Sequence, residues 1–85
     1  GCSSMLALFT ENGPFTLAQN GSNYHVGQRK ITWNQKAHML FLDQPVGTGY
    51  SVVNDGNYVT SDKDAAKQAL FAVLGFFEKY PQLRN

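Results

Sequence analysis

The first cluster of apolar residues predicts a short helix. Residues 5–11 contain Met5, Leu6, Leu8 and Phe9, and either Ser3 or Ser4 could cap such a helix by accepting a hydrogen bond from a free backbone amide. The segment Asn12-Gly13-Pro14 should end it, because glycine adopts the left-handed conformation and proline cannot continue a helix.

The pattern that follows predicts a β-hairpin. Residues 15–17 (Phe-Thr-Leu) are typical of a short strand, residues 19–24 are polar and are expected to form the loop, and residues 29–33 are predicted to be the second strand. The register of this pairing cannot be derived from the pattern.

A continuous apolar run, Met39-Leu40-Phe41-Leu42, predicts a strand that is buried on both faces, as in the parallel sheets of α/β proteins. The run ends at Asp43-Gln44-Pro45. A turn containing Gly47 and Gly49 follows, where such a strand would deliver a loop to its carboxyl end.

The last element is predicted to be a helix that packs on a sheet. Ser61 and Asp64 have the spacing of a capping box, and Pro81 should stop the helix. Apolar residues recur at helical spacing and form a wide stripe, made of Ala66, Leu70, Val73, Leu74, Phe76 and Phe77. The order of short helix, hairpin, buried central strand and sheet-packing helix is half of an α/β layer.

Composition indicates that the sequence comes from a larger domain. Only 15% of the 85 residues are charged, whereas about a quarter is usual, and a small domain has much surface to cover. The formal net charge is +1 with both signs interspersed, so nucleic acid is not an expected partner. No apolar run approaches the roughly 18 residues that a membrane-spanning helix needs, and no membrane association is expected.

The residues alone provide no catalytic machinery. A Gly-x-Ser-x-Gly nucleophile turn is absent, since neither Ser3 nor Ser51 has glycine at both required positions. His25 and His38 are interpreted as surface or loop histidines, and with Cys2 they do not have the spacing of metal ligands. The pair Gly47 and Gly49 lacks the lysine of a phosphate-binding loop. No metal or cofactor is predicted.

Three residues carry open alternatives. Cys2 is either half of a disulfide with a residue outside the chain or a small buried thiol. Asn20 begins the glycosylation sequon Asn-Gly-Ser, which fits a secretory route. Glu11 follows an apolar helix, where partial burial would favour its protonated form and allow it to bind an anionic group; the alternative is a solvated glutamate at a helix end.

Three stretches together resemble the serine carboxypeptidase family, in order and over nearly all 85 residues. The first, Gly1-Cys2-Ser3-Ser4 continuing to Glu11-Asn12-Gly13-Pro14, is similar to the family segment Asn-Gly-Gly-Pro-Gly-Cys-Ser-Ser from its fifth residue onwards. The second runs from Trp33-Asn34 to Phe41-Leu42-Asp43-Gln44-Pro45-Val46-Gly47-Thr48-Gly49-Tyr50-Ser51. The third is Phe76-Phe77-Glu78-Lys79-Tyr80-Pro81. The middle motif is specific.

The resemblance implies an incomplete part, residues 1–85, of a single α/β-hydrolase domain. It implies that Glu11 recognises the C-terminal carboxylate of a peptide substrate through a shared proton, and that Leu6 and Thr10 line the pocket for the leaving residue. Cys2 would pair with a distant cysteine, and Asp43 would be a buried structural residue and not the catalytic aspartate.

The resemblance also implies what lies elsewhere. The oxyanion glycines would precede Gly1, the nucleophilic serine would follow Asn85, and the rest of the parent chain would be needed for folding. The implied function is a secreted, lysosomal or vacuolar carboxypeptidase that acts through an acyl-enzyme. An acyltransferase on the same scaffold and a non-catalytic binding protein are the alternatives.

Overall fold

The computed structural model describes residues 3–84 and contains a two-stranded sheet and two α-helices. The elements in chain order are α1 (Ser4–Thr10), β1 (Phe15–Asn20), β2 (Asn23–Gln28), a 3₁₀ turn (Trp33–Gln35), α2 (Asp62–Lys79) and a second 3₁₀ turn (Pro81–Leu83). This is a small α/β unit.

Helix α1 begins where the sequence predicts. Ser3 is the capping residue, and its Oγ accepts a hydrogen bond from the amide of Met5 at 3.2 Å. The helix ends at Thr10 with Glu11 as its C-cap. Gly13 in the following turn is buried, and a Cβ at this position would collide with the backbone of Leu8. The chain can therefore turn so closely under α1 only because residue 13 is glycine.

The hairpin is confirmed, but the predicted second strand at residues 29–33 is wrong. Strand β2 is Asn23–Gln28, antiparallel to β1, with Phe15 opposite Gln28 and Asn20 opposite Asn23. A two-residue turn, in which Gly21 has a φ of 64°, joins the strands and fixes this register. The prediction failed because all six residues of β2 are exposed, so no buried face distinguishes this mostly polar strand from a loop.

The predicted central strand at residues 39–42 does not form within the described part of the chain. The segment pairs with no strand among residues 3–84, and a strand requires a hydrogen-bonded neighbour. Leu40 is 48% exposed, whereas Met39, Phe41 and Leu42 are half-buried.

Helix α2 is confirmed at both ends. The amide of Asp64 donates to Ser61 Oγ at 3.1 Å, and that hydroxyl donates to the Asp64 carboxylate at 2.8 Å. The carboxylate thus binds the capping hydroxyl instead of the backbone amide expected of a capping box. The helix ends at Lys79, and Pro81 begins the 3₁₀ turn.

The predicted packing of α2 on a sheet is wrong for the described residues. Gln68, Ala69 and Ala72 face the segment 42–46 instead of the hairpin. Leu70 and Leu74 of the predicted stripe are 56% and 48% exposed. No helix within residues 3–84 has the length and apolarity to cross a membrane.

Candidate functional site

The predicted recognition residues lie at the exposed side of α1. Leu6 and Thr10 are one helical turn apart and both are exposed. The hydroxyl of Thr10 donates to the carbonyl of Leu6 at 2.6 Å, so it is bonded within its own helix. Glu11 follows directly, also exposed, with backbone angles of −114° and −95° that leave the helix. The structure thus places Leu6 and Thr10 on the exposed side of α1 and Glu11 at its C-cap.

Of the two alternatives for Glu11, the described residues by themselves show the exposed one. Helix α1 meets the rest of the chain through half-buried Met5, Ala7, Leu8 and Phe9, and Phe9 stacks on Phe15 with ring centroids 5.6 Å apart. Glu11 is exposed. Desolvation of its carboxyl group would require atoms from outside residues 3–84.

The turn after Glu11 is tightly hydrogen-bonded. The carbonyl of Ala7 accepts the amides of Glu11, Asn12 and Gly13 at 3.2, 3.1 and 3.1 Å. Three consecutive amides are thereby directed at one oxygen at the end of α1, which satisfies donors that would otherwise face solvent. The backbone at Glu11 is held by the same arrangement.

Arg29 follows β2 and binds the turn after Glu11 from a distance, although the sequence pattern predicts it in a strand. Its Nε donates to the carbonyl of Gly13 at 2.9 Å and its Nη2 donates to the carbonyl of Phe15 at 3.2 Å. Its own amide donates to the carbonyl of Pro14 at 2.7 Å. The half-buried guanidinium group therefore bridges two carbonyls on either side of Pro14, a geometry that its planar fork of donors suits.

Asp43 connects the other end of α1 to the loop that follows residue 42. Its Oδ1 accepts hydrogen bonds from the Ser3 hydroxyl at 3.1 Å and from the Ser4 amide. Its Oδ2 accepts the amide of Tyr50 at 2.8 Å, and its carbonyl accepts the Ser51 hydroxyl at 2.6 Å. One half-buried carboxylate thus holds segments separated by about 40 residues in sequence.

The loop from residue 45 to residue 51 is folded closely around Asp43. The peptide bond between Gln44 and Pro45 is cis, and the amide of Gly47 donates to the carbonyl of Ser51 at 3.1 Å. Gly49 has a φ of 53°, and a Cβ there would collide with the Asp43 carboxylate. Glycine is therefore needed at residue 49 both for its conformation and for space.

These donors determine the charge state of Asp43. Hydrogen bonds from the amides of Tyr50 and Ser4, with a smaller contribution from the Ser3 hydroxyl, hold the pKa of the Asp43 carboxyl below its ordinary value of 3.8. Partial desolvation opposes this shift without reversing it. Asp43 is accordingly an anion at every mildly acidic pH, as expected of a structural carboxylate.

The remaining predicted sites lie apart from Glu11 and Asp43. Asn20 is exposed and lies at the tip of the hairpin, next to the two-residue turn. His25 is on β2 and His38 precedes the extended segment, and both are exposed. Within residues 3–84 no three metal-ligating side chains converge. Cys2 lies outside the described residues.

With this geometry in place, comparison with known proteins identifies the family. The family model for serine carboxypeptidases matches residues 1–85, the whole chain. The chain therefore belongs to the serine carboxypeptidase family, as its three motifs predict.

Comparison with individual relatives supports this family assignment. The chain is 41% identical over 83 residues to serine carboxypeptidase-like 48 of Arabidopsis thaliana, which is 96% of this chain and 16% of the relative. It is 38% identical over 84 residues to vitellogenic carboxypeptidase of Aedes aegypti, covering 98% of this chain and 17% of the relative. With venom serine carboxypeptidase of Apis mellifera the identity is 36% over 86 residues, covering 100% and 18%. The chain thus spans about a sixth of the length of these relatives.

The lowered pKa of Asp43 predicts how acid affects stability. Since the folded-state pKa lies below 3.8, the ionised group stabilises the fold above that value, and this contribution is lost as the pH falls through the folded-state pKa. In a full-length protein containing this segment, the difference in unfolding free energy between the wild type and Asp43→Asn should be constant above about pH 5 and should shrink below about pH 4. Urea unfolding at several pH values measures this difference. A difference that grows on acidification would contradict the assignment.

Proposed function

We propose that this segment belongs to a serine-type carboxypeptidase, which releases C-terminal amino acids from peptides, and that it forms part of the site for the substrate's C-terminal carboxylate. The observation that carries the proposal is the match to the family over the whole chain together with the exposed position of Glu11 beside Leu6 and Thr10. In this proposal residues 1–85 are an incomplete part of one α/β-hydrolase domain.

Recognition in this proposal depends on the proton of Glu11. A neutral carboxyl group can donate a hydrogen bond to the substrate carboxylate, whereas an ionised one would repel it. Leu6 supplies apolar surface for the leaving side chain. Because the Thr10 hydroxyl is bonded to the Leu6 carbonyl, Thr10 presents mainly its methyl group to that pocket. The position of Glu11 directly after the helix supports its access to a substrate.

The chemical step would be performed by residues outside this segment. A serine hydroxyl attacks the carbonyl carbon of the last peptide bond, its proton passes through a histidine to the leaving nitrogen, and the C–N bond breaks. Water then hydrolyses the resulting ester and regenerates the serine. The 85 residues contain no Gly-x-Ser-x-Gly turn, which is consistent with a role in binding.

Three further properties belong to the same proposal. Cys2 would form a disulfide with a cysteine elsewhere in the longer chain, and Asn20 would carry a glycan. Both modifications require the secretory route, so the protein would be secreted or delivered to a lysosome or vacuole. The exposed position of Asn20 at the hairpin tip supports access of the glycosylating enzyme.

Substitutions at Glu11 in the full-length protein test the proposal. Glu11→Ala removes a hydrogen bond to a charged group, worth about 1.5–3 kcal/mol, so KM for a peptide with a free C-terminus should rise roughly tenfold to a hundredfold. Glu11→Gln keeps an N–H donor that does not titrate. Its KM should therefore stay close to that of the wild type at mildly acidic pH, where Glu11→Ala is impaired.

Glu78→Ala is the matched control, because Glu78 is an exposed glutamate at the end of α2. Its KM should equal that of the wild type. If Glu11→Ala leaves KM unchanged at acidic pH, Glu11 does not bind the substrate carboxylate and the proposed site is wrong.

A further inference from the structure

The N-terminal end of α1 is held by a side chain from a distant segment. Asp43 accepts the hydroxyl of Ser3 and the amide of Ser4, which are the capping residue and the first residue of the helix. Its other oxygen accepts the amide of Tyr50, so the carboxylate is itself held by the loop after Pro45. A displacement of Asp43 would move the start of α1.

The segment after α1 is held by a second distant side chain. The two donors of Arg29 bind the carbonyls of Gly13 and Phe15, two and four residues after Glu11. Arg29 itself is fixed at the end of β2 by its amide, which donates to the carbonyl of Pro14. This contact holds the chain where it turns from Glu11 into the hairpin.

Helix α1 cannot hold its own position. It has seven residues, is about 10 Å long, and isolated helices of this length do not persist in water. None of its side chains is fully buried, and its one aromatic contact within the described chain is the stack of Phe9 on Phe15. The polar contacts at the two ends of α1 must therefore do much to fix the direction in which its exposed side faces.

We propose that Asp43 and Arg29 are a pair of positioning residues that hold the recognition segment, residues 3–15, from its two ends and so place Glu11, Leu6 and Thr10 against the C-terminal residue of a peptide. The inference rests on the proposed function. Neither Asp43 nor Arg29 touches the substrate in this proposal, yet both affect how well the enzyme recognises the leaving residue.

Substitutions that keep size test the pair in the full-length protein. In Asp43→Asn the amide nitrogen must face either the Tyr50 amide or the Ser3 and Ser4 donors, so one set of hydrogen bonds is lost. Arg29→Lys keeps the charge but cannot bridge two carbonyls with a planar fork. Asp55→Asn and Arg84→Lys make the same chemical changes at exposed positions and serve as controls.

Two substrates separate positioning from loss of folded enzyme. One is a blocked peptide with a free C-terminus, and the other is the corresponding methyl ester, whose leaving group has neither side chain nor carboxylate. We expect both variants to raise KM for the peptide about tenfold, with kcat and the kinetics of the ester within about twofold of the wild type. The controls should match the wild type with both substrates. An equal loss with peptide and ester, or no loss, would overturn the inference.

Ser3 provides a milder test should Asp43→Asn prevent folding. Ser3→Ala removes one donor to Asp43 together with the acceptor for the Met5 amide, whereas Ser3→Thr retains the hydroxyl for both contacts. The inference requires a higher peptide KM in Ser3→Ala, an unchanged ester reaction, and recovery in Ser3→Thr. If Ser3→Thr behaves as Ser3→Ala does, the contact with Asp43 is not what positions α1.

Glu11→Ala, measured with the same two substrates, distinguishes a failure of the proposed function from a failure of the positioning roles alone. If Glu11→Ala raises the peptide KM but Asp43→Asn and Arg29→Lys do not, the proposed function stands and the positioning roles are wrong. If Glu11→Ala also has no effect on peptide KM, the proposed recognition site is wrong and the positioning roles are wrong with it.

Discussion

On its own, the 85-residue chain is expected to show no cooperative thermal transition and either to aggregate or to remain molten. The described residues include no fully buried hydrophobic side chain, and Ile31, Tyr50 and Val52 are each at least 80% exposed. Burial of apolar surface is the main favourable term in folding, so a chain without a core lacks what would offset its conformational entropy.

Two global dimensions support this expectation. The accessible surface is 7011 Å², compared with about 5000 Å² for a folded monomer of 9.4 kDa. The radius of gyration is 15.4 Å, compared with about 12 Å for a compact domain of this length. Both values indicate an open arrangement with exposed apolar faces.

Three measurements on the purified segment check this prediction. Near-UV circular dichroism should be weak, a hydrophobic dye should bind, and heating should give a gradual change without a midpoint. The full-length protein under the same conditions should show a cooperative transition. A soluble monomer of the segment with a sharp transition would contradict the prediction and would indicate an independent module.

Gly49→Ala is expected to destabilise the full-length protein by about 3 kcal/mol. Residue 49 has a φ of 53°, where a non-glycine residue costs roughly 1–3 kcal/mol. In addition, the new methyl group would collide with the Asp43 carboxylate, which must then move away from the amide of Tyr50. The substitution therefore combines backbone strain with the loss of the hydrogen bonds around Asp43.

Gly56→Ala separates these two effects. Gly56 has a φ of 66°, and nothing lies within 4 Å of the position its Cβ would take. It should lose only the strain, about 1 kcal/mol, so the difference between the two variants measures the collision at Asp43. Urea unfolding of both variants gives this difference. Equal losses would show that the carboxylate does not occupy the space above Gly49.

The two helices could be predicted from sequence because their signals are local. Ser3 caps α1 and Ser61 caps α2 through hydrogen bonds to amides two and three residues away, and proline follows each helix closely. Such signals act within one or two turns and depend little on the rest of the protein.

The strands could not be predicted as well because they depend on partners. Residues 39–42 have the composition of a central strand, but the described chain offers no neighbour to pair with them. Strand β2 was assigned six residues too late, because its polar residues resemble a loop and its register is set by the turn at Gly21. Pairing is a property of two segments, and a pattern along one segment does not contain it.

The candidate site divides in the same way. Glu11, Leu6 and Thr10 are predicted through resemblance to a family, and only the shared face of Leu6 and Thr10 follows from helical spacing. The contacts of Asp43 with Ser3 and of Arg29 with Gly13 join residues 40 and 16 apart, and no local signal reveals them. These contacts exist only in the folded structure, where the two segments of each pair meet.

The most direct test of the central claim is digestion of a peptide by the full-length protein at mildly acidic pH, followed by mass spectrometry. The same peptide is supplied with a free C-terminal carboxylate and with a C-terminal amide. We expect stepwise loss of single residues from the free C-terminus and little or no reaction of the amide. Cleavage at internal bonds, or equal cleavage of the two peptides, would contradict recognition of the C-terminal carboxylate.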